Sequence, residues 1–392
     1  MLPEESSSSP NELLMHRKSA FILFIAVLGL LAIGAVIIYS TGAYAYDSHG
    51  DSLFFIKKHA FWLGVGLVFC IAAALIDYHF WQRTWMIWFA LALVGLAICF
   101  LLPARNGSHR WIVYHGWSAQ PSEFAKLAAV FFLAYWFSRY EKESSQIWRG
   151  FLIPLAIVGL LSSLIVTEVD LGTTALIGAT TFVVMFIAGA NLALLGALSL
   201  GGIAGIIFLA IHIPERLSRM LAFLHPELAK DGAGLQQFQA LIAFGSGGIS
   251  GFGLGNGREK LLYLPYAHTD FIFPIVGEEL GMRFTLLVVF LFVVVILCGL
   301  AIALHAKDRF GLLLASGIVS LIAWQAAINI GVVTSLLPNK GMPLPFISYG
   351  GSNLIVALFA IGVLLNIYRQ GVLEPVAAKK QIPMRVHVTP RI

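Results

Sequence analysis

The chain is dominated by long apolar runs that short polar segments separate. A run of roughly 20 mostly apolar residues is long enough to cross a bilayer as a helix. Because lipid offers no hydrogen-bond partners to an open backbone, such runs must be helical. The pattern predicts an all-α polytopic membrane protein with about ten transmembrane helices, at 19–40, 59–76, 84–102, 121–138, 150–167, 171–189, 192–212, 274–304, 311–334 and 347–368.

The Lys and Arg residues between the runs predict the orientation. They are modestly more frequent on the side of the membrane that holds the N-terminus. Since cytoplasmic loops carry the excess of Lys and Arg, we expect both termini in the cytoplasm. The predicted organisation is a cytoplasmic tail over 1–18, one transmembrane domain over 19–368, and a second cytoplasmic tail over 369–392.

A long outer loop, about 213–273, connects the seventh and eighth spans. Loops of this length are usually functional or disordered, and the apolar stretch 235–244 argues against disorder. The glycine-rich run 245–257 follows. Two interpretations of that run stay open: tight turns in a re-entrant segment on the membrane, or backbone N–H groups that cradle phosphate.

The composition agrees with a membrane protein. The chain is 59% hydrophobic and 11% charged, whereas a soluble domain is about a quarter charged. This excludes a water-soluble enzyme, a disordered protein and a disulfide-rich secreted module. The net charge of +5 is better explained by membrane lipids, orientation or an anionic substrate than by nucleic acid. The three cysteines lie in apolar runs and indicate neither a disulfide framework nor a metal cluster.

Ionisable residues inside the apolar runs are few and lie together. Charged groups at membrane depth are costly, and they usually mark a functional site. In the predicted orientation, all of them fall in the outer half of the membrane. This favours chemistry on a substrate at the outer leaflet over transport of a charged solute. These residues are Glu123, Lys126, Glu278, Glu279 and Arg283.

Asp270 lies where the outer loop enters the membrane. It could cap the following helix together with Thr269. Alternatively, a partly desolvated carboxyl group there would have a raised pKa, as a general base needs. Other charged residues on the same face could form ion pairs that close the bundle, and Glu123 and Lys126 lie three residues apart on one helix side.

Several motifs resemble the SEDS family of polytopic membrane glycosyltransferases, which includes FtsW and RodA. The resemblance covers about residues 19–370. Its motifs are Gly107–Ile112, Gln120–Lys126, Asp170–Thr173, the glycine-rich run, His268–Phe273, Glu278–Gly281 and Pro345–Ser352.

Within this family the chain is most similar to the division branch, FtsW. The residues that carry this similarity are Lys340-Gly341 after Leu337-Pro338, and the segment Arg219–Glu227. The sequence departs from the family at Glu168-Val169-Asp170, where Gln-Pro-Asp is usual, at Tyr266-Ala267, and at His109.

The resemblance implies that the chain polymerises lipid II into glycan strands at the outer face of the cytoplasmic membrane. It implies Asp270 as the catalytic base. One base and in-line displacement would invert the anomeric centre. The implied substrate- and diphosphate-binding residues are Arg110, Trp111, Glu123, Lys126, Lys340 and Ser348, with Arg216 or Arg219 as further cations. The implied supporting residues are Asp170, His268, Thr269, Glu278 and Glu279.

The family further implies a class B penicillin-binding transpeptidase and divisome regulators as partners. A divalent cation, Mg²⁺ or Mn²⁺, could bridge the diphosphate and a carboxylate. The sequence shows no dedicated metal cage, and no organic cofactor is expected.

Three other functions stay open at this point. A RodA-like elongation polymerase would use the same chemistry. A lipid II flippase could line a cavity with the polar stripe Ser316, Ser320, Gln325 and Asn329, although hydrogen bonding between helices also explains that stripe. A non-catalytic division scaffold would not need Asp270.

Overall fold

The structure, a computed structural model, is mostly helical. Eleven α-helices are described: α1 Pro10–Gly42, α2 Phe54–Leu75, α3 His79–Leu101, α4 Pro121–Arg139, α5 Ile153–Thr167, α6 Leu171–Ile187, α7 Leu192–His212, α8 Leu235–Gly247, α9 Ile272–Leu304, α10 Arg309–Val333 and α11 Gly351–Lys380. Strands β1, Ile112–Tyr114, and β2, Trp117–Ala119, form an antiparallel hairpin. The described residues are 10–42, 51, 53–103, 109–114, 117–212, 222–223, 227, 232, 234–261 and 263–380.

Each of the ten predicted spans contains a helix. Among the described residues, seven helical stretches are long and apolar enough to cross a membrane; they lie in α1, α2, α3, α5 with the turn before it, α9, α10 and α11. The other three are α4, which carries Glu123, Lys126 and Arg139, α6, which has 17 residues, and α7, an apolar helix of 21 residues. The prediction of a polytopic all-α membrane protein is confirmed.

The helix ends differ from the predicted spans because local interactions decide them. Helix α1 begins at Pro10, inside the predicted tail, and Pro suits the first position of a helix. Helix α2 begins five residues early and includes Lys57 and Lys58, whose long side chains can reach the interface. Helix α11 begins at Gly351, four residues after the predicted start, and Phe346, with φ 65°, lies in the turn before it.

Helix α10 is the centre of the bundle. In its most hydrophobic stretch 72% of the residues are buried, against 22% in α2 and α3. It packs against α4, α6 and α9, while α11 packs mainly on α2. Helices α1, α2 and α3, at the periphery of the bundle, expose large apolar side chains such as Phe21, Val68 and Met86, as helices that face lipid do. Polar side chains on α10 are therefore held inside the protein.

The long loop after α7 contains a helix, and the helix that follows the loop contains a break; the sequence pattern predicted neither. Helix α8 covers the apolar stretch and ends at the glycine-rich run. The next helix, α9, is interrupted at Gly281, whose φ of 78° is outside the helical region. Glu278 and Glu279 therefore lie in a short, buried half-helix ahead of the main span, not within the span itself.

Candidate functional site

Asp270 lies immediately before α9 and does not cap it. The N-cap position of α9 is Phe271, and no side chain makes a capping hydrogen bond there. The alternative of a helix cap is therefore wrong. Asp270 is half-buried, and its carboxylate makes no hydrogen bond within the described part of the chain. A carboxylate left in this state is available to a ligand.

Arg110 provides positive charge near this carboxylate. Burial raises the pKa of Asp270 to about 6, and the negative charges of Asp170 and Glu123 act in the same direction. The charge of Arg110 lowers the pKa and partly offsets that rise. A group with a pKa near 6 is mostly ionised at pH 7 yet can accept a proton, which suits a general base.

The segment before α11 covers Asp270. A Cβ atom added at Gly341 would lie 2.6 Å from Oδ2 of Asp270, so only glycine fits there without displacement. The side chain of the neighbouring Lys340 passes close to Gly172 at the start of α6. Asp270, Arg110 and Lys340, which the sequence predicted to act together, thus belong to one region.

Two amides on α10 hold this region together. Asn329 Nδ2 donates to the carbonyl oxygen of Asp270 (2.8 Å) and to that of Met342 (2.6 Å). Gln325 Nε2 donates to the carbonyl oxygen of Pro343 (2.9 Å). The sequence placed both residues in a polar stripe but could not identify their partners. Asn329 thus connects Asp270 to the Lys340 segment, and Gln325 fixes that segment on α10.

Glu123 and Lys126 on α4 form a buried ion pair of 2.8 Å, as one of the two interpretations predicted. Glu123 also accepts from Asn353 Nδ2 (2.8 Å), and Lys126 donates to Gln325 Oε1 (2.8 Å). These four side chains form the polar end of a cavity of about 20 Å³ between α4, α10 and α11, room for about one water. The pair organises the site rather than presenting a bare cation to a substrate.

Asp170, which the resemblance implies as a supporting residue, joins the start of α6 to the segment before α4. Its carboxylate accepts from Thr173 N (3.1 Å) and Thr173 Oγ1 (2.8 Å), which caps α6, and from Gln120 Nε2 (3.1 Å). This last bond joins α6 to the segment before α4. Because both of its carboxylate oxygens accept hydrogen bonds within the protein, Asp170 supplies negative charge to the site and fixes the position of α6 relative to the segment before α4.

Backbone strain is concentrated in the loops around the site. In the described part of the chain, four non-glycine residues have positive φ: Val169, Tyr266, Ser335 and Phe346. They lie beside Asp170, ahead of His268-Thr269-Asp270, ahead of Lys340, and beside Ser348. Such conformations cost about 1–3 kcal/mol each and persist where the surroundings enforce them, often at functional sites. No simple sequence signal identifies them, because none is a glycine or asparagine.

Glu278 and Glu279 belong to a different network, which we call the loop lock and which comprises Ser40, Lys260, Glu278 and Glu279. Lys260 Nζ contacts Glu279 Oε1 (2.6 Å) and Ser40 Oγ (2.8 Å), and Ser40 Oγ also donates to Glu279. Glu278 accepts from the backbone N–H of Arg258 (2.6 Å).

The loop lock holds the glycine-rich run in place. Gly255 N–H donates to Glu279 Oε2 (3.1 Å), and a Cβ atom at Gly257 would lie 2.8 Å from Glu278 Oε2. Phe252 N–H and Gly253 N–H donate to the backbone carbonyl oxygens of Glu278 and Glu279, so the protein itself uses these N–H groups of the run. This favours the interpretation as tight turns over that of a phosphate cradle.

The other predicted residues have local roles. The centroids of the His268 and Phe55 rings lie 4.5 Å apart. The backbone carbonyl oxygen of His268 accepts a hydrogen bond from Tyr349 N (3.0 Å). Thr269 Oγ1 donates to the carbonyl oxygen of Tyr266 (3.2 Å). Ser348 is buried, and its hydroxyl accepts from Leu344 N (2.8 Å), so the geometry gives it a turn-stabilising role. Trp111 is half-buried at the start of the hairpin.

Several predicted elements lie outside the described residues: Gly107 and Ser108, the cations Arg216 and Arg219, and the extreme termini. The divalent cation also stays a hypothesis. Among the described residues, no three His, Cys, Asp or Glu side chains come together to hold one. We derive no step through a metal ion.

The comparisons with known proteins all match the same family. The profile of the family of FtsW, RodA and SpoVE, described as "Cell cycle protein", matches residues 21–372. Stage V sporulation protein E of Bacillus subtilis is 42% identical over 89% of this chain and 96% of its own length. The probable peptidoglycan glycosyltransferase FtsW of Coxiella burnetii is 38% identical over 88% of this chain and 95% of its own.

Solved structures have the same fold. A chain of a peptidoglycan synthase complex, described for its coordination of polymerization and crosslinking, superposes with a TM-score of 0.73 at 23% identity, over 89% of this chain and 97% of that one. The rod shape determining protein RodA of Thermus thermophilus superposes with a TM-score of 0.62 at 23% identity, over 89% and 96% of the two chains.

Proposed function

Because this chain belongs to the family of FtsW, RodA and SpoVE, we propose that it is a peptidoglycan glycosyltransferase that polymerises lipid II at the outer face of the cytoplasmic membrane. The observation that carries the proposal is Asp270: a half-buried carboxylate with no hydrogen bond among the described residues, beside Arg110 and under Gly341. That combination suits a base that acts next to an anionic leaving group.

The proposed reaction is one displacement. The acceptor sugar hydroxyl gives its proton to Asp270 as its oxygen attacks the anomeric carbon of the donor. The new glycosidic bond forms as the bond from that carbon to the diphosphate oxygen breaks, and the lipid diphosphate leaves. Attack from the side opposite the leaving group inverts the anomeric centre. Asp270 is the one base assigned, and we infer no covalent intermediate.

The cations stabilise the departing diphosphate. Charge that develops on a leaving group in a partly desolvated site is strongly stabilised by fixed positive groups. Arg110 and Lys340 lie on the two segments that flank Asp270 and are the proposed contacts. Lys126, committed to Glu123 and Gln325, sets the position of the Lys340 segment through Gln325.

The decisive experiment is lipid II polymerisation by the purified protein, compared with Asp270→Asn. A base contributes about 10²–10⁴-fold to rate, and we expect a loss of that size with lipid II binding retained. Asn keeps the shape and removes an ionised group from a partly buried site, so the melting temperature should stay equal or rise. Polymerisation at the native rate by the variant would refute the assignment of the base.

A lipid II flippase is the second candidate, and the geometry of α10 argues against it. The polar stripe that would line a pathway uses Gln325 and Asn329 to bind loop carbonyls. The cavity that Gln325 lines has room for about one water, far less than a sugar-diphosphate head group needs. Vesicles that move labelled lipid II without forming polymer would reverse this preference.

We further propose a role in septal synthesis, with both termini in the cytoplasm and a class B penicillin-binding transpeptidase as partner. Support comes from curated relatives named FtsW and from the similarity to a chain of a synthase complex. Adding the purified transpeptidase to the polymerisation assay tests the partner. Expression in cells depleted of their own FtsW tests the role, since an elongation polymerase would not restore septation.

A further inference from the structure

Glu168, in the turn between α5 and α6, is a buried carboxyl group without partners. The residue is fully buried, and neither carboxyl oxygen has a hydrogen-bond partner among the described residues. Buried polar groups are nearly always hydrogen-bonded, so an exception calls for a physical explanation. The turn that places Glu168 is itself strained, because Val169 has φ 65° although it is β-branched.

Arg110 offers the complementary group. Its Nε is also buried without a partner in the described part of the protein. Its positive charge lowers the pKa of both Glu168 and Asp270, so it lies within electrostatic reach of two carboxyl groups. Among the described residues, however, no hydrogen bond joins it to either of them. The structure thus holds the parts of an ion pair that has not formed.

The surroundings favour the neutral form of Glu168. Burial is the largest effect and raises the pKa of its carboxyl group to about 8, with the negative charge of Asp170 adding to the rise. Arg110 opposes it. The other titratable neighbour is the thiol of Cys99 on α3. Glu168 therefore keeps its proton at neutral pH.

We propose that Glu168 is a positioning residue that controls Arg110: as a neutral acid it leaves the guanidinium to the substrate's diphosphate, and as a carboxylate it captures the guanidinium in an ion pair. This inference rests on the proposed function, because it assigns Arg110 to the diphosphate. It also explains why neither group has a partner in the structure: each is paired only in a state other than this one, Arg110 with ligand and Glu168 after ionisation.

The first test is the pH dependence of lipid II polymerisation from pH 6 to 10. The KM of the native chain should rise above pH 8 as Glu168 ionises and competes for Arg110, to about tenfold its neutral value one unit above the pKa. In Glu168→Gln this rise should vanish while kcat at pH 7 is retained. If the variant keeps the alkaline rise in KM, the proposal is wrong.

Glu259→Gln is the matched control. Glu259 is a second buried carboxyl group with an unpartnered oxygen, and burial together with the charge of Glu278 raises its pKa to about 7. It contacts the loop lock, and Arg110 does not appear among the groups that shift its pKa. The alkaline rise in KM should stay at the same pH in this variant. Its disappearance would mean that a general alkaline effect, not Glu168, is responsible.

A second measurement needs no turnover. Inorganic pyrophosphate should raise the melting temperature of the native chain at pH 7 but not at pH 9, and that of Glu168→Gln at both. The variant at the same pH controls for titration of pyrophosphate itself. Equal shifts in the two proteins at pH 9 would overturn the proposal. If lipid II is not polymerised at all, the proposed function fails, and the pyrophosphate result still decides whether Glu168 controls Arg110.

Discussion

Two charged clusters lie near the outer loop, and they differ in how completely their groups are paired. In the loop lock, Glu279 is bonded to Lys260, Ser40 and the N–H of Gly255, and both charged side chains are fully buried. Around the candidate base, the carboxyl groups of Asp270 and Glu168 have no hydrogen bond among the described residues. Charged groups whose hydrogen bonds are made within the protein stabilise its structure, whereas charged groups without such bonds are available to a ligand or a proton.

The largest effect on stability is expected for Lys260, the one cation among the four residues of the loop lock. Lys260→Met leaves Glu279 buried without its charge partner, which costs about 3–5 kcal/mol when a buried pair is broken. We expect a much lower melting temperature and loss of activity only as the protein unfolds, the reverse of Asp270→Asn.

Lys57→Met is the control for the loss of a lysine. Lys57 pairs with Asp51 at 2.8 Å, but both side chains are largely exposed. Exposed pairs contribute about 0–1 kcal/mol, so this variant should melt close to the native protein. If Lys260→Met were equally mild, the loop lock would not have the structural role assigned to it.

Asn329→Ala tests whether the base and the Lys340 segment depend on one side chain. The change leaves two carbonyl oxygens, those of Asp270 and Met342, without their donor, at about 1–3 kcal/mol for each buried group. We expect a moderate fall in melting temperature and a fall in kcat larger than any change in KM.

Ser316→Ala is the comparison for Asn329→Ala. Ser316 is a buried polar residue of the same helix, away from the loop carbonyls. It should leave kcat near the native value. A fall in kcat as large as that of Asn329→Ala would mean that α10 is sensitive to any substitution.

Gly341→Ala tests the close packing on the base more mildly. The new methyl group would meet Asp270 Oδ2 at 2.6 Å, so either the carboxylate or the segment must move. A displacement of this kind can cost about tenfold or more in rate with little loss of stability. Gly178→Ala on α6 is the control, since nothing lies within 4 Å of the added atom. Equal activity of the two variants would contradict the packing.

The sequence predicted the existence of the helices better than their ends. A run of about twenty apolar residues must be helical in lipid. The break at Gly281 and the late start of α11 depend instead on the backbone conformation of single residues. Asp270, Arg110 and Lys340 were predicted from their positions at one interface and from family motifs. Asn329 and Gln325 were visible as polar residues, but their partners are backbone carbonyls of other segments. Glu168 could not be chosen over Asp170, because pairing is a property of the folded chain.

The prediction most specific to the base concerns the acid limb of the pH profile. Asp270 must be ionised to accept a proton, and its pKa is raised to about 6, mainly by burial. The kcat/KM value should therefore be half-maximal near pH 6 and fall about tenfold for each unit below it.

Arg110→Gln sharpens this prediction because it removes the positive charge that lowers the pKa of Asp270. The acid limb should move to higher pH in this variant, whatever the loss in substrate binding. In Lys260→Met, any protein that remains folded should keep its acid limb near pH 6, since the loop lock is not among the groups that shift the pKa of Asp270. If the acid limb shifted in Lys260→Met and not in Arg110→Gln, the loop lock would influence the base directly. The assignment of a structural role to the loop lock and a catalytic role to the Asp270 cluster would then be wrong.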